Sequence, residues 1–330
     1  MRLLLLLIVL IFSFNVCFAS NSVYSAQTYQ TSFLGWMKKH DRSYHHHEFN
    51  NKYQAFKDNM DFIHNWNTNK NSKTVLGLTQ FADLTNEEYR KIYLGTKVNV
   101  APEKHNFNMI HFTGPDSIDW RTKGAVSHVK DQGQCGSCWS FSTTGSVEGA
   151  HQIKTGNMVT LSEQNLVDCS GKFGNNGCDG GLMVNAFKFI MSQGGVATED
   201  SYPYNAVQGK CKFTKSMVGA NISGYKEITQ GSELELQAAL TKQPVSIAID
   251  ASQQSFQLYK SGVYDEPECS SYQLDHGVLA VGYGTENGKD YYIVKNSWAD
   301  SWGQDGYIFM SRNAKNQCGV ATMASYPISN

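Results

Sequence analysis

Between residues 33 and 63 the apolar positions recur at helical spacing. Phe33, Trp36, Met37 and His40 fall three and four apart, and Phe49, Tyr53, Phe56, Met60 and Ile63 repeat at four, three, four, three. A period near 3.6 puts such residues on one face, so the pattern predicts helices that share an apolar seam. Thr85 followed three residues later by Glu88 makes a capping box for a third helix running through Tyr93. Periodicity is then lost from residue 97 to 113, a linker-like stretch before Pro115, and a domain boundary is expected there. Downstream the texture changes to glycine, tyrosine and short strands, with enough chain for a second, larger unit and a substantial core. Residues 245–250, 277–283, 291–295 and 306–310 alternate or are β-branched, which predicts a mainly antiparallel sheet. From Trp139 to Gln152 the side chains are mostly small, and a helix there needs close packing and burial, because propensity alone would not hold it.

The first residues have a different pattern. Met1-Arg2 and an apolar run over residues 3–14 have the charged start and short hydrophobic core of a secretory signal, with Cys17-Phe18-Ala19 offering a cut after Ala19. Ser13 and Asn15 interrupt the run, which falls short of the roughly 20 apolar residues that span a bilayer, so no membrane anchor is expected. Removal of Cys17 leaves Cys135, Cys138, Cys169, Cys178, Cys211, Cys269 and Cys318, an odd set in an oxidising compartment. One thiol should therefore stay free. Cys135 and Cys138 have no second pair at zinc-finger spacing, and the three consecutive histidines 45–47 point different ways from a helix, so no metal or other cofactor is expected. The net charge of −1 hides a division: residues 20–113 carry 11 Lys and Arg against 8 Asp and Glu, and residues 114–330 carry 16 against 21. Weak attraction between the halves or ordinary surface composition would both fit, and neither half has the basic patch of a nucleic-acid binder.

Chemistry concentrates at residues 132–139, Gln-Gly-Gln-Cys-Gly-Ser-Cys-Trp. A cysteine attacks a carbonyl well as thiolate, so it needs a base, a donor for the developing oxyanion, and a helix N-terminus or cation that favours the anion. Cys138 precedes the small-residue helix and is the candidate nucleophile. Of the histidines after residue 113, His128 lies in an extended segment ten residues upstream and His151 lies more than three turns down the same helix, so neither side chain should readily reach the sulfur. His276 heads the strand that follows Asp275, and alone would read as a structural histidine at a strand edge. Asn296, in Lys295-Asn296-Ser297-Trp298, is the candidate to hold the second imidazole nitrogen. A neutral amide suits a resting state that already pairs imidazolium with thiolate.

These segments resemble the papain and cathepsin cysteine proteases: residues 132–139 match the signature around their nucleophile, Asp275-His276-Gly277 is similar to their histidine motif, and residues 296–298 to their Asn-Ser-Trp segment. The resemblance covers nearly the whole chain and is greatest to cathepsin L. It implies a signal peptide (1–19), an inhibitory helical propeptide (20–113) and a mature peptidase (114–330). The implied fold is α+β and two-lobed, with a helical left lobe whose central helix starts at Cys138 and an antiparallel, β-barrel-like right lobe. It further implies that Gln132 and the Cys138 amide form the oxyanion hole, that Trp298 shields the Asn296–His276 hydrogen bond, and that bridges join Cys135–Cys178, Cys169–Cys211 and Cys269–Cys318. Sequence alone leaves 15 pairings open. Gly180 and Gly181 would let an extended substrate approach, beside Asp275. Leu182, Met183, Ala248, Leu274 and Met323 would line an apolar pocket for the second residue before the scissile bond. The papain thiol, depressed to about 3 to 4, gives the implied acidity of the nucleophile. Ala299 stands where the family usually has glycine, and a small backbone adjustment is expected.

Glu48, Lys52, Phe56, Asn59, Ile63 and Asn67 fit the family's inhibitor signature with Lys52 replacing arginine, and Gly77, Phe81 and Asp83 fit its second motif with Thr79 replacing asparagine. Lysine cannot make arginine's bidentate contacts. By family precedent the propeptide threads the cleft backwards, and acid would release it as Asp83 and neighbouring carboxylates, with pKa values depressed by their partners, take up protons. The expected function is a zymogen of a cysteine endopeptidase, secreted or lysosomal, acting as a monomer on protein and peptide substrates. It would be held by its own propeptide and by cystatin-type inhibitors, and Asn221 is a glycosylation sequon. A catalytically idle homologue or an exopeptidase of the same fold is the alternative. Gln132, Cys138, His276 and Asn296 all stand against an idle homologue.

Overall fold

The computed structural model describes residues 22–68, 73–103 and 112–330. The expected leader, residues 1–19, lies outside them. The N-terminal part contains α1 (Ala26–Lys39), α2 (His46–Asn67), β1 (Val75–Leu76), α3 (Asn86–Tyr93) and β2 (Val98–Asn99). Thr85 caps α3 in the expected box with Glu88. The seam residues Phe33, Trp36, Phe56 and Met60 are buried together, with Phe49, Tyr53 and Ile63 packed on them. Helix face and seam coincide because the apolar period matches 3.6.

The larger part begins with β3 (Ile118–Asp119), α4 (Cys138–Thr155), α5 (Glu163–Cys169) and α6 (Met183–Gln193). It continues through β4 (Val196–Ala197), β5 (Val218–Ala220), β6 (Ile222–Glu227), α7 (Glu233–Leu240), β7 (Val245–Ile249) and α8 (Gln254–Gln257). The chain then forms β8 (Tyr259–Ser261), β9 (Val263–Tyr264), β10 (Gln273–Leu274), β11 (His276–Glu286), β12 (Lys289–Lys295), β13 (Tyr307–Ser311) and β14 (Met323–Ser329). All four expected strands appear, as β7, β11, β12 and β13. Helix α4 is buried from Cys138 through Ala150, as its small side chains require. Gly145 shows why: a Cβ there would stand 2.8 Å from Leu279 Cδ2 on β11.

The main sheet runs β6-β14-β7-β11-β12-β13-β9, with β3 beside β11, and only β13–β9 is parallel. The barrel-like lobe expected from the resemblance is an open sheet, because among the described residues its outer strands β6 and β9 do not pair with each other. Helix α6 covers the β6 edge, with Phe187 stacked on Tyr225, and β9 is two residues long; both are ways of blunting an edge. One apolar core lies against this sheet and a second is built on α4, α5 and α6. Between them sits a buried charged cluster: Lys130 Nζ meets Glu163 at 2.6 Å and Glu148 at 3.2 Å, and Lys295 Nζ donates to Ser127 Oγ at 3.0 Å.

The two halves of opposite net charge meet through apolar packing and amide hydrogen bonds. Each ion pair described joins residues of the same half, while the charge of Arg90 acts across the halves on the Asp275 carboxyl.

Candidate active site

Cys138 is the first residue of α4, where unpaired helical N–H groups and the helix dipole favour an anion. It is fully buried and is the free thiol among the described cysteines. Strand β11 crosses α4, tied by a 2.7 Å hydrogen bond from Ser142 Oγ to the Val278 carbonyl. That crossing brings the start of β11 to the sulfur: the Gly277 amide donates to Cys138 Sγ at 3.4 Å. His276 is buried immediately before it. Strand β12 runs antiparallel to β11 and delivers Asn296, whose Oδ1 meets His276 Nε2 at 2.8 Å and also accepts the Ser297 amide at 2.8 Å. The Trp298 ring lies over the imidazole, 4.7 Å between centroids and tilted by 25°.

With Nε2 held by Asn296, Nδ1 is the nitrogen left for the thiol. Burial alone would push the thiol up and the imidazole down. The charge each places on the other reverses both: Cys138 falls to about 7 and His276 rises above its ordinary value, while Nδ1 makes no hydrogen bond among the described residues of this closed zymogen.

Gln132 is buried, and its amide orientation is fixed by chemistry. Its Oε1 accepts from Ser297 Oγ at 2.8 Å and from Trp298 Nε1 at 3.0 Å. The amide nitrogen therefore faces the cleft, where it donates to the carbonyls of Tyr93 at 3.0 Å and Cys135 at 2.9 Å. Ser297 and Trp298 thus aim Gln132, a role that the sequence reading missed.

Residues 94–99 fill the groove between the lobes. The Gly181 amide donates to the Gly95 carbonyl at 3.1 Å, the Thr96 amide to the Asp275 carbonyl at 2.9 Å, and Thr96 Oγ1 lies 3.5 Å from Cys138 Sγ. Contact is so close that a Cβ on Gly95 would stand 1.8 Å from the Gly136 carbonyl oxygen, and one on Gly180, where φ is +122°, 2.2 Å from the Gly95 oxygen. Strand β2 then pairs antiparallel with β10, Val98 opposite Leu274. Met183, Ala248 and Leu274 are buried in one cluster with Met323 packed against it, and Leu182 stands half-buried just before α6. Sequence signalled nothing at Gly95 and Thr96 beyond a glycine after a helix, which reads as an ordinary C-terminal cap.

Residues 114–328 match the family model for papain family cysteine proteases. The chain belongs to that family. Residues 33–89 match the model for the cathepsin propeptide inhibitor domain. Cysteine proteinase 3 of Dictyostelium discoideum is 57% identical over 337 residues, covering 99% of this chain and all of that protein. Cathepsin L1 of Drosophila melanogaster is 52% identical over 265 residues, 77% of this chain and 71% of that one. The solved digestive procathepsin L 3 of Tenebrio molitor superposes with a TM-score of 0.83 at 40% identity, covering 92% of this chain and 100% of the other. The chain is a cathepsin L-like cysteine protease, a hydrolase made as a zymogen with an inhibitor propeptide.

The papain-family pattern of bridges is present: Cys135–Cys178, Cys169–Cys211 and Cys269–Cys318, with Cα separations of 4.7, 4.8 and 4.8 Å. In the propeptide, Phe56 is fully buried, and Asn59 Nδ2 donates to the carbonyls of Ala82 and Leu84 at 2.9 Å each. Asn67 exchanges two hydrogen bonds with Leu76, and the Glu48 carboxylate accepts the His45 amide at the start of α2. His45 thus belongs to a helix cap, and no group of side chains able to hold a metal ion occurs among the described residues. Lys52 makes a single 2.9 Å contact with Glu88, as a point charge should. Gly77 donates to the Leu258 carbonyl and Thr79 Oγ1 to that of Gln257, so both contact the mature half. Phe81 enters the core beneath Trp298.

One expectation is corrected. Asp83 is buried, with Oδ2 accepting from Tyr44 at 2.7 Å and Oδ1 without a partner. Burial raises its pKa despite Tyr44, Arg42 and Lys52, whereas a depressed value was expected. Ala299 takes a left-handed φ of +57°, and its amide donates to the Lys130 carbonyl at 3.0 Å.

Proposed function

We propose that the mature enzyme is an endopeptidase in which a Cys138 thiolate attacks the scissile carbonyl and a His276 imidazolium then protonates the leaving amine. The Sγ–C bond forms as the C–N bond breaks. Water, deprotonated by His276, next hydrolyses the thioester and regenerates the thiol. Asn296 holds the imidazole, and Gln132 Nε2 with the Cys138 amide receives the oxyanion, where one such donor is worth ~3 to 4 kcal/mol. The observation that carries this reading is the convergence of the buried thiol at the head of α4 with an imidazole held by Asn296 at 2.8 Å.

Substrates are protein chains with an apolar residue two positions before the cut, received by Leu182, Met183, Ala248, Leu274 and Met323. In a substrate that residue precedes the scissile bond. In the propeptide the segment beside Leu274, Val98, follows the one at the nucleophile, Thr96. The propeptide therefore runs with the opposite polarity and offers no peptide bond in productive orientation. The chain enters the secretory route by a leader cut after Ala19, is glycosylated at Asn221, and works as a monomer in a lysosome-like compartment or outside the cell, where cystatin-type proteins would inhibit it.

Cys138→Ser should abolish peptide hydrolysis and self-processing while keeping the fold and the three bridges. Turnover above a few per cent in a preparation free of other proteases would overturn the nucleophile. For specificity, a peptide library should show Leu, Phe or Val at the second position favoured over Arg by about 2 kcal/mol or more, from desolvation of an unpaired charge. Equal use of Arg would refute the pocket, and Met323→Glu should create the missing Arg preference.

A further inference from the structure

Tyr204 lies outside the catalytic constellation, yet its hydroxyl touches both sides of the turn that carries the oxyanion donors. It donates to the Gln132 carbonyl at 2.8 Å and stands 2.6 Å from Ser137 Oγ. A phenol has one proton, so the Ser137 hydroxyl must donate into the Tyr204 oxygen. Gln132 carries one oxyanion donor on its side chain. Ser137 immediately precedes Cys138, whose amide is the other. The intervening turn includes Gly133 at φ +56° and Gly136; the Cys135–Cys178 bridge fastens its middle, the Ser297 carbonyl holds the Gln132 backbone amide at 2.9 Å, and the Tyr204 hydroxyl joins the two ends.

We propose that Tyr204 is a positioning residue for the oxyanion hole, its hydroxyl fixing the spacing between the Gln132 side chain and the Cys138 amide. This rests on the reading that those two groups receive the oxyanion. The hydroxyl is itself held from outside the turn. The Tyr204 ring packs edge-on against Phe141 at 4.9 Å and 78°, one turn along α4 from the nucleophile, and the Tyr204 amide donates to Glu199 Oε1 at 2.8 Å. Gln132 and Ser137 are fully buried, so loss of the hydroxyl would leave a carbonyl and a serine proton there without this partner. Ser297 and Trp298 would still aim the Gln132 side-chain amide, and the Cys138 amide would shift against it as the tetrahedral oxygen moves between them. Substrate binding and thiolate formation use other atoms and should be untouched.

The test is Tyr204→Phe, which keeps the ring against Phe141, in full-length zymogen converted at low pH by pepsin that is then silenced with pepstatin. Three quantities are read: kcat and KM on a fluorogenic peptide, the inhibition constant of a peptide aldehyde, and the pH profile of alkylation by iodoacetamide. The aldehyde forms an Sγ–C bond and places its oxygen on the oxyanion donors, whereas alkylation needs only the thiolate. Expected are a loss of about tenfold in kcat with KM within about twofold, and a parallel rise in the aldehyde constant. The alkylation profile should not move. Ser137→Ala should give the same pattern at a few-fold and serves if Tyr204→Phe fails to fold. Unchanged kcat and aldehyde affinity would overturn the proposal, as would a loss accompanied by a shifted alkylation profile or a raised KM, which would mean general loosening. If the unsubstituted enzyme ignores the aldehyde and Cys138→Ser retains turnover, the catalytic reading itself fails and not this inference alone.

Discussion

The helical head of the propeptide and the strap that follows it hold the enzyme by different chemistry. The head, α1 through α3, grips with side chains beside one short ladder, β1 with β8, and the Gly77 amide. Phe81, Tyr89 and Tyr93 join the core of the mature half around Trp298, Gln254 Nε2 donates to Asn59 Oδ1 at 2.7 Å, and Gln257 Nε2 donates to the carbonyls of Phe81 and Leu84 at 3.0 Å each. The strap, residues 94–99, grips mainly with backbone: the Gly95 carbonyl, the Thr96 amide and the β2–β10 ladder. Apolar burial scales with area and supplies affinity, whereas main-chain pairing fills a groove built for any extended chain. Holding and blocking by one propeptide are therefore expected to be separable.

The largest effect should come from the head. Phe81 is 2% exposed and its ring centroid is 4.5 Å from that of Tyr93 and 5.0 Å from that of Trp298. Phe81→Ala should cost ~3 to 5 kcal/mol of propeptide binding, at least about a hundredfold in the inhibition constant measured in trans. A change under tenfold would mean that the strap supplies the affinity. Gly95→Ala attacks the other side of the comparison. Its Cβ would meet the Gly136 carbonyl at 1.8 Å, and such overpacking costs ~1 to 3 kcal/mol, enough to lift the strap while the head stays docked. The variant propeptide should still bind Cys138→Ala enzyme by calorimetry within about thirtyfold of native, ~2 kcal/mol, yet leave active enzyme free to cut small peptides. Complete loss of binding would show that head and strap are one unit.

Acid release sharpens the comparison further, because two carboxylates of the head pull in opposite directions. Burial pushes Glu88 up, but Lys52 and the Thr85 cap hold it below the usual range. A depressed folded pKa stabilises the head above the unfolded value near 4.3, and that contribution is lost as pH falls below it. Glu88 is substantially exposed, so solvent screening keeps the effect to a few tenths of a kcal/mol. Asp83 has a raised folded pKa. Its stabilisation is complete below its unfolded pKa and is lost as pH rises through the raised value, so acid tightens the head at this position. Asp83→Asn should therefore inhibit more strongly than the native propeptide at pH 7 and equally at pH 4, and Glu88→Gln should lessen the acid release. Inhibition constants at the two pH values decide it. A weaker Asp83→Asn propeptide at pH 7 would reverse the sign assigned here.

The head was largely legible in the sequence and the strap was not, for a physical reason. Phe33, Phe56 and Met60 announce a seam because burial demands a period, and Thr85 with Glu88 announces a helix start because a cap needs those atoms at that spacing. Gly95 and Thr96 act through main-chain atoms that every residue has, so no side-chain pattern marks them. The mature half divides in the same way. Cys138, His276 and Asn296 sit in motifs that the chain order preserves, whereas the clamp of Ser297 and Trp298 on Gln132 depends on a meeting across more than 160 residues. The sign of the Asp83 shift was also out of reach, since it depends on burial that only the folded chain creates.

The smallest effect tests the platform on which the head rests. Trp298 receives Phe81 on its ring and Gln80 on its carbonyl, at 2.6 Å, and Ala299 follows it at φ +57°. A side chain in the left-handed region costs roughly 1 to 2 kcal/mol that glycine does not incur. Part of that gain is offset by glycine's greater freedom when unfolded. Ala299→Gly should stabilise the mature half by about 1 kcal/mol, which raises Tm by ~2 to 4 °C for a domain of this size. Because neither the Lys130 contact nor the Trp298 ring depends on the Ala299 methyl group, kcat/KM and the inhibition constant of native propeptide should stay within twofold. A lower Tm by calorimetry would show that the left-handed alanine carries no strain. A higher Tm accompanied by weakened inhibition would show that the strain helps to set the angle of Trp298 against the head.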